Sequence, residues 1–520
     1  MEQVGLWMVF EFALQGSKDY QNPFWDQTVR IEFTSASGKK RTVEAFWDGG
    51  RTWRVRFSPD ETGKWFWRSR ALDANDGRLD LQEGSFQSVP YRGKNTLYQR
   101  GPVGLSKDRR HFVHADGTPF FWLADTAWNG VLRADPNDWQ EYLRTRALQQ
   151  FTAIQFVSTQ WRGLSKDPSG EKAYEGDEHI RLNPAFFQRL DGKVAAINEH
   201  GLVAAPVILW AVNDKEPGFK LAEADAQRLT SYIVARWGAH QVIWILGGDG
   251  NYRGQRAERW KRIGRAVFGE RHDRLVTMHP NGQSSYTQEF RGEPWFDFIG
   301  YQSGHGSSDD HLRWLIEGPP AKEWKDTPAL PVVNLEPNYE KHPSYHAKKQ
   351  FTDHEVRRAA YWSLLVAPPA GVTYGCNPIW VWPPKPEPAE GHNLGIIDPW
   401  RTGLDLPGAK CMSILRKLFD SLPWWDLRPA QGILAEQPGT AAPRLFIAAA
   451  ATEDGTIAVV YTPEGGRIAL NALALKLPLP ARWFNPRSGE WTDAGGMAEA
   501  KASFNAPDGN DWVLVLGGVK

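Results

Sequence analysis

Short stretches at both ends of the chain alternate apolar and polar residues, as half-buried β-strands do. Near the N-terminus the alternation runs through 29–33, 53–57 and 65–67, with the turn signals WDGG and SPDETG between these stretches. Near the C-terminus, apolar runs at 445–449, 456–461 and 512–516 are separated by turn signals such as Asp454-Gly455. This spacing predicts a small antiparallel β-sandwich at each end, over residues 1–95 and 428–520.

The segment between them, residues 96–427, has a different rhythm. Eight short apolar runs alternate with longer stretches of helical period. The runs are 120–125, 153–158, 203–210, 242–249, 275–280, 296–302, 331–336 and 371–377. The helical stretches are 136–149, 184–199, 222–238, 255–268, 309–317, 353–366 and 409–421, and the fifth unit, around 283–292, is weak.

Eight β/α units predict an α/β fold with a central (β/α)8 TIM barrel flanked by the two sandwiches. An open doubly wound sheet is the alternative. Such a sheet favours a glycine-rich phosphate turn after its first strand, and the sequence FFWLADTAWNG has none.

Composition and charge disfavour several classes of function. The 61 basic and 61 acidic side chains cancel, which disfavours a nucleic-acid partner or a polybasic membrane patch. The longest apolar run, 202–212, is too short to span a bilayer. Two cysteines exclude a disulfide scaffold and a four-thiolate zinc site.

The 26 tryptophans suggest aromatic platforms for an amphipathic ligand such as a sugar, although Trp122, Trp244 and Trp362 lie inside predicted elements and are expected in the core.

The first residues, MEQVGLWMVFEF, contain no basic segment followed by an apolar stretch, so no signal peptide is evident. Localisation therefore stays open: secreted or periplasmic if a signal was removed, and otherwise cytoplasmic.

Barrel enzymes carry their chemistry at the carboxyl ends of the strands. Polar and aromatic residues close or follow the predicted strands, and we expect them to form a sugar pocket with these substrate-binding candidates: Asp125, Trp128, Gln160, Trp161, Trp210, His279, Asn281, Gln302, Asn338, Tyr339 and Trp380.

Two carboxylates, Asp249 and Glu336, close the fourth and seventh runs. Glycoside hydrolysis needs such a pair, one to protonate the leaving oxygen and one to attack the anomeric carbon or activate water. Asn338 and Tyr339 could keep Glu336 ionised, and the glycines beside Asp249 leave room for a leaving group. The alternative for either carboxylate is a helix cap or half of an ion pair.

Other polar residues are weaker candidates. Asp125 could be a third catalytic carboxylate, but we favour a hydrogen bond to the sugar or to its loop. His279 could be a general base, a pocket residue or a core histidine. His342 and His346 have i, i+4 spacing without HExxH, so we predict no metal and no cofactor. Cys376 is expected to pack rather than react.

The motifs LADTAWN, QFVSTQW, VIWILGGDGNY, VNLEPNY and YWSLLVAPPAGVTYGCNPIW resemble the apiosidase-like glycoside hydrolases, family 140, which have clan A type barrels. Residues 1–95 resemble the N-terminal sandwich often fused to this barrel. Residues 428–520, with RWFNPRSGEW and DGNDWVLVL, resemble a C-terminal sandwich of the collagen-binding type.

The resemblance implies that Asp249 is the acid/base and Glu336 the nucleophile of a retaining mechanism, with the carboxyl groups about 5–5.5 Å apart. The implied substrate is a β-D-apioside of plant pectin or plant glycosides. In two places the chain departs from the pattern. Most clan A enzymes have Asn-Glu where this chain has Gly248-Asp249, and the Asn usually contacts the sugar 2-hydroxyl. Cys376 replaces an expected longer polar residue.

Two further hypotheses remain. One is another furanosidase, such as an arabinofuranosidase, with the same two carboxylates. The other is a non-catalytic carbohydrate-binding protein, which would have no need of paired strand-end acids. The sequence leaves open the exact sugar, exo or endo action, the roles of the sandwiches and the oligomeric state.

Overall fold

The computed structural model describes residues 2–269, 273–347 and 349–518. Its centre is a barrel of eight parallel strands, each followed by a helix that takes the same number. The strands are β1 Trp122–Thr126, β2 Ala153–Val157, β3 Val203–Trp210, β4 Trp244–Gly248, β5 Val276–Thr277, β6 Ile299–Tyr301, β7 Val332–Asn334 and β8 Pro369–Tyr374. The helices are α1 Pro136–Leu148, α2 Pro184–Glu199, α3 Glu223–Trp237, α4 Gln255–Phe268, α5 Thr287–Phe290, α6 Asp309–Glu317, α7 Asp353–Leu365 and α8 Pro407–Asp420.

The barrel strands pair in cyclic order. β1 pairs with both β2 and β8, and the ladder runs from β2 to β5 on one side and from β8 to β6 on the other. β5 and β6 join through two bonds: the Asp297 amide donates to Val276 O at 3.0 Å and Thr277 Oγ1 donates to Phe298 O at 2.7 Å. The predicted barrel is therefore confirmed, and the open-sheet alternative is wrong. The weak fifth unit is a real one, with a helix of only four residues.

Seven strands near the N-terminus form one antiparallel sheet that folds over its own core, apart from a parallel first pair. Residues Val29, Ile31, Phe33, Val55 and Trp65 of that core are completely buried, as the alternation predicts. The strands are Gln3–Gly5, Phe10–Gln15, Val29–Thr34, Lys40–Trp47, Thr52–Phe57, Gly63–Ala71 and Glu83–Val89.

The C-terminal strands form a six-stranded sheet faced by a two-stranded one. The six are Leu427–Pro429, Ala448–Thr452, Ala458–Thr462, Leu479–Phe484, Trp491–Met497 and Trp512–Leu516; the two are Arg467–Asn471 and Lys501–Asn505. Both flanking β-sandwiches of the predicted fold class are thus present.

Shorter elements fill the connections. A three-stranded sheet precedes the barrel, with strands Val103–Leu105, Phe112–His114 and Pro119–Phe120, and strand pairs Tyr174–Glu175/Arg181–Leu182 and Glu387–Pro388/Ile396–Ile397 lie in barrel loops. The remaining short helices are Pro23–Asp26, Thr96–Arg100, Gly130–Arg133, Pro217–Lys220, Pro320–Glu323 and Asn377–Val381, with 3-10 turns at Trp400–Leu404, Trp424–Asp426, Gln431–Ile433, Pro438–Thr440 and Pro443–Leu445. Within the described residues, no helix is long and apolar enough to cross a membrane.

Many of the tryptophans pack in the protein interior, so the high tryptophan content is in large part a feature of the core. Nine are among the largest fully buried side chains: Trp65, Trp122, Trp139, Trp237, Trp244, Trp260, Trp295, Trp362 and Trp400. The three expected in the core are in this set. Large aromatic rings bury much apolar area each, which stabilises the wide contact between barrel and helices.

Candidate active site

A cavity of about 360 Å³ opens at the carboxyl end of the barrel. Both predicted catalytic carboxylates, Asp249 and Glu336, line it. Six of the predicted binding residues also line it: Trp128, Trp161, Trp210, Gln302, Tyr339 and Trp380. The structure therefore brings together side chains from the ends of most barrel strands, as parallel strands in a closed barrel require.

Glu336 follows β7 and is held on one side by two donors. Its Oε1 accepts hydrogen bonds from Gln302 Nε2 at 2.8 Å and from His305 Nε2 at 2.9 Å. His279 Nε2 lies 3.4 Å from the other oxygen, Oε2. The carboxylate is thus oriented with Oε1 occupied and Oε2 less constrained.

These contacts set the charge of Glu336. Burial alone would raise its pKa, but the hydrogen bonds and charges of His279 and His305 outweigh burial and hold the pKa of Glu336 well below its usual range. Glu336 is therefore an ionised carboxylate at neutral pH.

Asp249 follows β4 and is held in the opposite state. Burial, and next the negative charge of Glu336, raise the pKa of Asp249 to about 7, against the opposing influence of His279 and Arg162. The Arg162 Nη2 atom lies 3.5 Å from Asp249 Oδ2, and the Asp249 side chain is 14% exposed. The pocket therefore holds one carboxyl group with a raised pKa, Asp249, and one with a lowered pKa, Glu336.

The glycines before Asp249 are required by packing. A Cβ atom on Gly248 would lie 2.5 Å from Val207 Cγ1 and 2.6 Å from Trp210 Cε3. The Trp210 ring thus fills the space that an Asn at position 248 would need. This contact gives a physical reason for the Gly248-Asp249 departure from the Asn-Glu pattern.

Tryptophan rings form the apolar wall of the pocket. The Trp161 and Trp210 ring centres lie 4.5 Å apart, and those of Trp128 and Trp210 lie 5.5 Å apart. Trp161 Nε1 donates to Asn129 Oδ1 at 2.8 Å, and Trp380 Nε1 donates to Asn377 Oδ1 at 2.9 Å. Trp210 Nε1 has no hydrogen-bond partner among the described residues, which leaves this donor available to a ligand.

Asp125 lies outside the lining of the pocket. It is completely buried, with Oδ2 2.6 Å from Arg146 Nε and accepting from Tyr142 OH at 2.8 Å. Alternate residues of a strand point to opposite faces. Asp125 therefore points outward to α1, although it sits near the end of β1.

Three further candidates support loops and are absent from the lining of the catalytic pocket. Gln160 bonds the backbone of Ala173 and Tyr174, Asn281 Oδ1 accepts from Tyr286 OH at 2.8 Å, and Asn338 Nδ2 donates to Gly304 O at 2.8 Å. Each of the three therefore supports a loop in this structure, and their contact with a sugar stays a prediction. His279 is completely buried and does not line the pocket, and its Nε2 lies 3.4 Å from Glu336 Oε2.

Several lining residues were not selected from the sequence. They are Arg162, Gly282, Gln283, Gly304, His305, His311, His342, Tyr345, His346 and His392. Arg162 directly follows the predicted binding residue Trp161, and His305 lies three residues beyond Gln302. Their nearness in sequence to a strand end was therefore the one sign in the sequence that they could line the pocket. Cys376 is completely buried outside the pocket, as expected of a packing residue, and burial raises its pKa to about 12.

Residues 106–426 match the family model of the apiosidase-like catalytic domain. The chain belongs to this family. In this apiosidase-like chain, residues 3–71 also match a domain of unknown function, and residues 428–517 match the domain described as "putative collagen-binding domain of a collagenase". The family and the paired carboxylates together make the protein a glycoside hydrolase with a carbohydrate substrate.

Solved structures share the fold. A glycoside hydrolase is 23% identical over 81% of this chain and 97% of its own, with a TM-score of 0.71. A family 5 glycoside hydrolase from Bacteroides vulgatus is 23% identical over 81% and 94%, with a TM-score of 0.70. A "putative glycoside hydrolase" from the same species is 18% identical over 99% and 100%, with a TM-score of 0.75. A comparison with curated proteins gives no significant match.

Proposed function

We propose that the protein is a retaining β-D-apiosidase acting on plant apiosides or pectin fragments, with Asp249 as acid/base and Glu336 as nucleophile. One observation carries the proposal: two carboxyl groups line one pocket, where His279 and His305 hold the pKa of Glu336 low while burial and the charge of Glu336 raise the pKa of Asp249 to about 7. A glycosidase needs this division of roles, because one group must give a proton while the other attacks.

The chemistry follows from the contacts. Asp249 donates its proton to the glycosidic oxygen while Glu336 attacks the anomeric carbon, so the carbon–oxygen bond to the leaving group breaks as an ester to Glu336 forms. Because Oε1 is held by Gln302 and His305, Oε2 is the attacking atom. Esterification removes the charge of Glu336, so the pKa of Asp249 falls. Asp249 then takes a proton from water, whose oxygen displaces the sugar from Glu336.

The family supports the choice of glycone, since the matching domain is apiosidase-like. The size of the pocket, about 360 Å³, is near the lower end of small-molecule sites and suits a single sugar ring against its tryptophan wall. An arabinofuranoside would use the same carboxylates, so the substrate panel must include one.

The test is hydrolysis of 4-nitrophenyl glycosides, including β-D-apiofuranoside, α-L-arabinofuranoside and common pyranosides. We expect release from the apioside, and a loss of at least about a thousand-fold in kcat for Glu336→Gln, because the amide cannot form the ester. Glu317→Gln, an exposed carboxylate at the end of α6, is the matched control. Release from another glycoside alone would contradict the substrate, and retained turnover in Glu336→Gln would contradict the nucleophile.

A further inference from the structure

A second cavity, of about 520 Å³, adjoins the catalytic pocket. It is bordered by the loops after β2 and β3, and Trp161 and Arg162 line both cavities. The catalytic pocket and the second cavity therefore share a wall, and a ligand that fills one can extend past Arg162 into the other.

The second cavity is lined by a buried carboxylate, Glu216, of which only one oxygen accepts a hydrogen bond. Glu216 is 2% exposed, and its Oε2 accepts a hydrogen bond from the Arg162 amide at 3.2 Å. Its other oxygen, Oε1, has no hydrogen-bond partner among the described residues, and the same holds for Arg162 Nε. Buried polar atoms without partners are costly, so a built acceptor and a built donor at one wall point to a ligand that satisfies both.

The proposed mechanism fixes which part of the substrate lies on this side. The acid must reach the glycosidic oxygen, and the nucleophile must face the opposite side of the anomeric carbon. Arg162 lies 3.5 Å from Asp249, whereas the donors to Glu336 come from β5 and β6. The second cavity is thus reached past the acid, where the leaving group departs.

Many of the other lining residues have polar or charged side chains. Lys172 Nζ lies 3.4 Å from Glu175 Oε2, and Lys220 Nζ lies 3.0 Å from Asp177 Oδ1. Trp161, Tyr174 and Pro217 add apolar surface to these polar groups. Such a mixed wall suits a sugar ring, which has both hydroxyl groups and apolar faces.

We propose that the second cavity is a subsite for a saccharide leaving group, with Glu216 Oε1 accepting a hydrogen bond from a sugar hydroxyl and Arg162 Nε donating to a sugar oxygen. The assignment rests on the proposed function, since it takes Asp249 as the acid. It makes the natural substrate a glycan or disaccharide unit rather than a simple aryl glycoside.

Binding tests the subsite without turnover. In the Glu336→Gln background, calorimetry compares methyl β-D-apiofuranoside with β-D-apiofuranosyl-(1→6)-glucose. We expect the disaccharide to bind at least tenfold more tightly, and Glu216→Gln to remove that difference. Gln keeps an acceptor for the Arg162 amide but places an NH₂ group at the position of Oε1. Glu178→Gln, an exposed carboxylate on the loop after β2 that also borders this cavity, should preserve the difference.

Equal affinities for the two ligands, or a disaccharide advantage that survives Glu216→Gln, would overturn the subsite. Kinetics separates this failure from failure of the proposed function. With Glu336 intact, Glu216→Gln should lose at least tenfold more kcat/KM on the disaccharide than on 4-nitrophenyl β-D-apiofuranoside. Equal losses on both would also overturn the subsite, whereas turnover in Glu336→Gln would overturn only the nucleophile.

Discussion

At the scale of single residues, the backbone explains why an Asp suits position 249, where we place the proposed acid. Its φ is 52°, in the left-handed region, where a non-glycine residue is uncommon and Asp and Asn are the best tolerated. Gly248 before it has no room for a side chain. A short carboxylate in a tight turn thus takes the place of the Glu found in most clan A barrels.

The acid role of Asp249 predicts a dependence on the leaving group. Asp249→Asn should lose about a hundred-fold or more in kcat/KM on a substrate with an alkoxide-like sugar leaving group, because protonation of the oxygen is lost. The loss on a 2,4-dinitrophenyl glycoside should be far smaller, since that leaving group needs no proton. Similar losses on both substrates, measured by steady-state kinetics, would contradict the assignment.

The neighbouring cation predicts a shift in pH dependence. The form with Asp249 protonated disappears as pH rises through its pKa of about 7, so kcat/KM should fall on the alkaline side. Arg162 lowers that pKa, and Arg162→Met should therefore move the alkaline limb to higher pH. A pH profile of kcat/KM on an alkyl glycoside, whose leaving group needs the proton, measures the shift, with Arg313→Met on α6 as control. A limb that stays in place or moves to lower pH would exclude the electrostatic role of Arg162.

At the scale of elements, the two faces of β1 divide structural from functional side chains. Asp125 faces α1 and forms an ion pair with Arg146. The guanidinium of Arg146 also donates to the carbonyl groups of Gly403 and Leu404. Both members of the pair are completely buried. A strand-end carboxylate here fastens α1 and the segment before α8 to the barrel.

Breaking that buried pair should destabilise the protein. Asp125→Asn leaves the Arg146 cation without its counter-charge, which typically costs about 3–5 kcal/mol. Glu223→Gln is the matched control, because its pair with Arg262 is exposed at the surface and such pairs contribute about 0–1 kcal/mol. Denaturant unfolding monitors both; comparable losses in the two variants would contradict the structural role of Asp125.

The regularity of each element decided how well it could be predicted. β3 runs over the predicted residues 203–210, and α2 over 184–199, because long periodic patterns report burial directly. β5 is only Val276–Thr277 and α5 only Thr287–Phe290, so few residues carry their pattern.

At the scale of the whole molecule, buried charges join the sandwiches to the barrel. Arg56 of the N-terminal sheet donates to Glu11 and to Asp191 of α2, and Arg236 of α3 also pairs with Asp191. On the other side, Arg357 of α7 binds Asp511 through two bonds, at 2.8 and 2.9 Å. Both flanking sheets are therefore fixed to outer helices of the barrel.

The C-terminal contact predicts a stability effect. Asp511→Asn leaves Arg357 with only its pair to Asp353 and should lower Tm and increase protease cleavage between α8 and the C-terminal sheet. Asp493→Asn, an exposed position in the same sheet, should change neither. Equal protease resistance of the two variants would show that apolar packing alone holds the C-terminal sheet.

The sequence by itself determined the barrel, the sandwiches and the positions of Asp249 and Glu336, because apolar periodicity and strand ends are local properties of the chain. Only the tertiary structure decided which strand-end residues meet in the pocket. Asp125 points outward, Gln160 supports a loop, and His305 reaches Glu336 from the neighbouring strand. Those outcomes depend on side-chain direction and on contacts between residues far apart in sequence, and so do the buried ion pairs and the raised pKa of Asp249.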